Sequence, residues 1–159
     1  MYLTLKTLHI LAVVAFLGNI SVGIFWKTFA DRSRNAQIIA HTLAGIIKAD
    51  RIITIPSIFA IVFVGMALAS IGGYPILGTG WMLWSIALFV LAGVAFVPLT
   101  RLQRQLLTTA RSGLDAAADQ QKYRDLSHHW DVWGVIALVL PLAAMVLMVM
   151  KPALPALHR

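Results

Sequence analysis

TLKTLHILAVVAFLGNISVGIFW, residues 4–26, decides the fold class. A helix rises about 1.5 Å per residue, so about 20 mostly apolar residues cross the roughly 30 Å of bilayer hydrocarbon. This run meets that length and is too long for the core of a signal peptide. Trp26-Lys27 after it reads as an interfacial anchor rather than a cleavage site. The run is therefore read as a retained membrane span.

Three further runs qualify on the same count, at about 52–72, 77–98 and 132–150. With 60% hydrophobic and 12% charged residues, the 159-residue chain lies outside the range of soluble domains. The expected architecture is all-α: one transmembrane domain over residues 1–159, folded as a four-helix bundle with helical cytoplasmic extensions. The lipid bilayer is its first partner.

The formal charge of +7 does not point to nucleic acid, because the basic residues are not gathered into one stripe with interleaved aromatics. They report topology instead. Lys27, Arg32, Arg34, Lys48 and Arg51 lie in the connection 27–51, and Arg101, Arg104, Arg111, Lys122 and Arg124 in the connection 99–131. The turn 73–76 has none. By the positive-inside rule both basic connections face the cytoplasm, and both termini, with Lys6, Lys151 and Arg159, face outward. Trp26, Trp130 and Trp133 mark the cytoplasmic helix ends, and Tyr2, Tyr74, Trp81 and Trp84 the opposite ends, as expected of aromatic belts. A bacterial inner membrane is the natural location.

Segments 36–52 and 99–111 have helical patterns, as does the stretch leading into the last span, where Tyr123, Leu126, Trp130 and Trp133 share a spacing. These extensions are expected to rest, solvated, on anionic headgroups. Pro56 falls one turn into the second span, where its missing N–H costs little. Pro141 falls mid-span in the fourth and is expected to kink it.

The absence of cysteine excludes disulfides and thiolate chemistry. There is no glutamate, and all six aspartates (31, 50, 115, 119, 125 and 131) fall in or beside the connections, so no span is expected to carry a buried carboxylate. A proton-coupled transporter is accordingly disfavoured. Ser/His/Asp and phosphate-loop motifs are lacking in any plausible context, which removes soluble hydrolase chemistry.

Three groups of residues carry candidate chemistry. His9, Ala12, Phe16, Asn19 and Gly23 lie within about a quarter of the helix circumference at 100° per residue, a small and polar stripe suited to face inward. By helical rise His9 and Met148 lie about 3 Å, and Met66, Met82 and Met145 about 8 Å, below the outer boundary. Imidazole with thioether suits haem iron or Cu(I), while methionine also serves as a core filler. The third group is His128, His129 and Asp131, with Asp125 one turn back, a candidate for a divalent metal or for an interfacial cluster with no ligand.

LHILAVVAFLGN with His9, ADRIITIP with Arg51 and Pro56, and VMKP at 149–152 resemble the HemJ-type protoporphyrinogen oxidases and the related CopD-like four-helix membrane proteins. The match looks closest to an uncharacterised branch of predicted integral membrane proteins, a domain of unknown function. The resemblance implies haem b or copper, with His9 as the first-helix histidine and Arg51 and Lys151 in matching positions, Lys151 suited to a propionate or substrate carboxylate. Where HemJ-like proteins carry a lysine, four residues after the tryptophan opening helix three, this chain has Ser85.

The functional expectation is a haem b-binding or redox-related inner-membrane protein, an oxidoreductase if it is an enzyme, with a membrane redox partner or a second copy of itself. A copper-handling protein using His9 and the outer methionines, and a non-catalytic accessory or assembly subunit, are the alternatives.

Overall fold

The computed structural model describes residues 1–157; Arg159, counted above among the outward-facing basic residues, lies outside them. Four rods form the molecule. The first is α1 (Tyr2–Ser33). The second joins α2 (Ala36–Ala49), a π-helical turn (Asp50–Thr54) and α3 (Ile55–Ile71) into one continuous helix. The others are α4 (Gly80–Ser112) and α5 (Ala117–Met150). Each is long and apolar enough to cross a membrane.

Local chemistry sets the boundaries. α1 ends at Arg34 in the left-handed conformation (φ 51°). Asn35 starts α2, its side-chain oxygen accepting from the Gln37 N–H at 2.9 Å and the Ile38 N–H at 3.2 Å. α3 closes through Gly73, at φ 67°, a conformation that costs glycine least. Pro141 does not interrupt α5.

The helices outrun the spans expected from hydropathy. α1 has 32 residues, about 48 Å of rise against roughly 30 Å of hydrocarbon, and the excess projects at the basic end. There the extensions do not rest separately on a surface. Ile39 and Leu43 of α2, Leu99, Leu106 and Ala110 of α4, and Tyr123, Trp130 and Ala137 of α5 close, with Ala30 of α1, into the larger buried core. The apolar face of segment 36–52 thus packs on α4 rather than on headgroups. A smaller core centres on Phe16, Leu17 and Ile20 of α1.

Around the bundle α1 packs on α2–α3 and on α5, α4 packs on α5, and α2 packs on α4. Among the described residues α3 has no close backbone approach to α4, so the bundle carries an apolar seam beyond the π turn. Phe16, Ile58, Phe89, Ala92 and Phe96 line a cavity of about 40 Å³ there. Outward faces are apolar along their length, as Val14, Phe63, Val94 and Val139 illustrate, which fits a lipid solvent.

After Lys151, also left-handed at φ 47°, the chain folds back over the terminal end. The Leu157 N–H donates to the Leu77 carbonyl at 3.0 Å and the Trp84 indole N–H to the Pro155 carbonyl at 3.3 Å. Gly80 lies directly beneath; a Cβ there would overlap the Leu154 carbonyl. Gly80→Ala is therefore expected to lift the strap and lose both hydrogen bonds, at about 1 kcal/mol each. Faster amide exchange at Leu157 checks this, and unchanged protection would refute it.

Candidate functional site

The expected inward stripe of α1 is present, with Phe16 buried and His9, Ala12, Asn19 and Gly23 partly buried, but its two polar members serve different places. They are ten residues apart, about 15 Å along the helix.

His9 packs on α3, where Gly65 makes room: a Cβ at Gly65 would stand 3.0 Å from the ring Cε1. The Ile61 carbonyl lies beside the ring. Nδ1 is fully buried and makes no hydrogen bond of normal geometry among the described residues. The methionines do not gather around it. Met66 on α3 and Met145 on α5 point outward, from helices that do not pack on each other; Met82 is buried on α4 and Met148 is half-buried. Lys151 lies over two aromatic rings, 5.6 Å from the Tyr74 centroid and 5.3 Å from that of Trp81. Ser85 is buried, its hydroxyl donating to the Trp81 carbonyl at 2.7 Å and the Ala144 carbonyl at 3.2 Å.

Asn19 belongs to a second site. Its amide nitrogen donates to Asp50 Oδ1 at 3.2 Å and to Thr54 Oγ1 at 2.8 Å. Thr54 Oγ1 donates to the same Oδ1 at 3.0 Å, and Gln103 of α4 donates to Oδ2 at 3.0 Å. Asp50 is 7% exposed. The expectation that no span carries a buried carboxylate is thus corrected. Asn19 lies inside the first span and fixes the level of Asp50, while Arg51, Arg101 and Arg104 nearby reach outward. The site lies toward the basic end of the bundle.

Pro56 explains the local geometry. Because α2 runs unbroken into α3, this proline is deep inside a helix, not one turn from its start. There it lacks an N–H and its ring crowds the carbonyl four residues back. The π turn widens the helix over that stretch, and the Ile55 N–H bonds back to the Asp50 carbonyl.

A third cluster lies at the basic end. Lys27 was read as an interfacial anchor, yet it is 1% exposed. Its ammonium contacts Asp31 at 2.9 Å, Asp131 at 2.8 Å and the Ser127 hydroxyl, and it lies 4.9 Å above the Trp130 ring. Asp31 also accepts from the Ser127 hydroxyl at 3.0 Å and the Tyr123 hydroxyl at 2.6 Å. Tyr123 lies in the extension, beyond the span 132–150; burial, reinforced by the Asp31 carboxylate, pushes its phenol well up, so it acts as a neutral donor. Trp130, read as a belt residue, is 2% exposed.

This cluster separates the members of the third candidate group. Asp131 pairs with Lys27, and His129 Nδ1 meets the backbone carbonyl of Asp125 at 2.7 Å. The His128 and His129 rings stand 6.1 Å apart at 74°. Among the described residues no three His, Asp or Glu side chains converge as a metal site.

Sequence reading missed the buried roles of Lys27 and Gln103, and it set Asp50 beside a connection, near the level of the His128 cluster, rather than among Asn19, Thr54 and Gln103. Gln103 carried a signal: at helical spacing it shares the buried face of Leu99 and Leu106, a polar residue on an apolar stripe.

Four apolar rods around buried polar groups define a polytopic membrane protein. Residues 3–152 match the family described as "Predicted integral membrane protein (DUF2269)", and the chain belongs to it. No curated protein and no solved structure matches it.

Proposed function

We propose that this protein is a haem b-binding, redox-related protein of the bacterial inner membrane, with His9 as an axial ligand and a membrane redox partner. The observation that supports this is the setting of His9. A ligating histidine commonly presents one nitrogen to the metal and directs the other toward a backbone carbonyl, which fixes the ring. His9 has part of that arrangement, with a buried Nδ1 and the Ile61 carbonyl beside the ring. A buried ring nitrogen without a partner costs about 1–3 kcal/mol, and a small rotation against Gly65 closes the bond to Ile61.

The donor set offers one histidine ligand, and the two cavities, about 20 and 40 Å³, are too small for a macrocycle. A haem would therefore need the seam between α3 and α4. When bound, haem supplies one-electron chemistry. His9 would hold the iron, and Lys151, at the same end on its aromatic platform, would offer a cation for a propionate. A copper site from His9, Met66, Met82 and Met145 has less support, because Met66 and Met145 diverge.

Protein produced with haem available is expected to show a Soret band that disappears or shifts in His9→Ala. A wild-type protein without the band, or a band unchanged by the substitution, refutes the assignment.

A further inference from the structure

We propose that Asp50 is a reversible proton-binding site that exchanges its proton with a single water held in the cavity it shares with Trp130. This goes beyond the haem reading and does not depend on it.

Asn19, Asp50 and Gln103 line one side of a cavity of about 20 Å³, and Trp130 and Gly134 of α5 line the other. That volume accommodates one water, provided it finds polar partners. The cavity offers them. Trp130 Nε1 is fully buried and has no acceptor among the described residues, and indole nitrogen is a donor only. A water here accepts from Trp130 and donates to the carboxylate opposite, resolving an otherwise costly orphan donor.

The groups facing Asp50 are neutral: Asn19 from α1, Thr54 from its own turn, Gln103 from α4 and Trp130 from α5. Arg51, next in the chain, is exposed. Among the described residues no cation is paired with this carboxylate, and its neighbours present N–H and O–H to it, so a proton is the charge-changing ion proposed.

The two states have distinct partners. Ionised, Asp50 accepts from both amides and from Thr54. Protonated, it donates to the cavity water or to the Thr54 oxygen, and either amide can turn its carbonyl inward. Lys27, paired with Asp31 and Asp131, lies 4.9 Å from the Trp130 ring centroid, so the charged cluster next to this cavity meets Trp130 and not Asp50.

The test is pH-titrated infrared difference spectroscopy of the whole protein in phosphatidylcholine and phosphatidylglycerol vesicles. A protonated-carboxyl C=O band is expected to grow reversibly as pH falls and to shift in D₂O and with ¹³C-labelled aspartate. It is absent from Asp50→Asn and retained in Asp131→Asn. Should Asp50→Asn not fold, Asp50→Glu moves the band to the glutamate position. Trp130→Phe keeps an aromatic ring but removes the N–H, and hydrogen exchange of the carboxyl slows by about five- to tenfold, the weight of one lost hydrogen bond. No titrating band in the folded protein, or a band surviving Asp50→Asn unmoved, overturns the proton site. Unchanged exchange in Trp130→Phe overturns the water route.

Discussion

Lys27→Ala is expected to destabilise the bundle by about 3–5 kcal/mol, the usual cost of removing one partner from a buried ion pair. The side chain is 1% exposed and its ammonium is shared among Asp31, Asp131 and Ser127. Without it two carboxylates face each other across Ser127 with no cation between them, and the Trp130 face loses its cation. Asp131→Asn makes the contrast. Asp131 is 52% exposed, so water screens the pair, and the loss is expected to stay within about 1 kcal/mol. Equilibrium unfolding in detergent micelles compares the two. Equal costs would show that Lys27 is not held by the buried side of its cluster.

Asp50 and Gln103 are expected to be strongly coupled. Asp50→Leu leaves Gln103 Nε2 in the core without its acceptor, and a buried donor without a partner costs about 1–3 kcal/mol. Asn19 still reaches Thr54 at 2.8 Å, so most of the loss falls on α4. Gln103→Leu alone removes one of three donors to the carboxylate. The double variant removes the mismatch from both sides and should recover most of what Asp50→Leu loses, giving an interaction energy of about 1–3 kcal/mol in a double-mutant cycle. Additive single effects would mean that the 3.0 Å contact between α4 and the π turn carries no energy.

The apolar runs at 4–26, 52–72, 77–98 and 132–150 made the four rods and their order legible, because hydrocarbon demands length and hydropathy whatever the packing. The buried polar layer was much less legible. Asp50-Arg51 reads as a span boundary when charge alone is weighed. The two residues in fact part company, one turned inward to Asn19 and Gln103 and the other outward. A π turn has no sequence signature of its own, although Pro56 inside a helical pattern that continues from IIKAD was a warning. Lys27 beside Trp26 looked like an anchor; its i,i+4 spacing to Asp31 was visible, but its second carboxylate comes from α5. The inward face of His9 was readable from the stripe. Its neighbour Gly65 was not, because helix rotation is fixed only by packing.

The rod formed by α2, the π turn and α3 belongs to two partners at once. Its lower half leans on α4, which is bound tightly to α5, and its upper half leans on α1. Any twist of the α1–α3 hairpin against the α4–α5 hairpin must therefore be taken up where the rod is wound loosely, at Asp50–Thr54. Asn19 holds that point from one hairpin and Gln103 from the other. The carboxylate between them, hydrogen-bonded to both, joins the two hairpins at the one place where the rod is loosely wound.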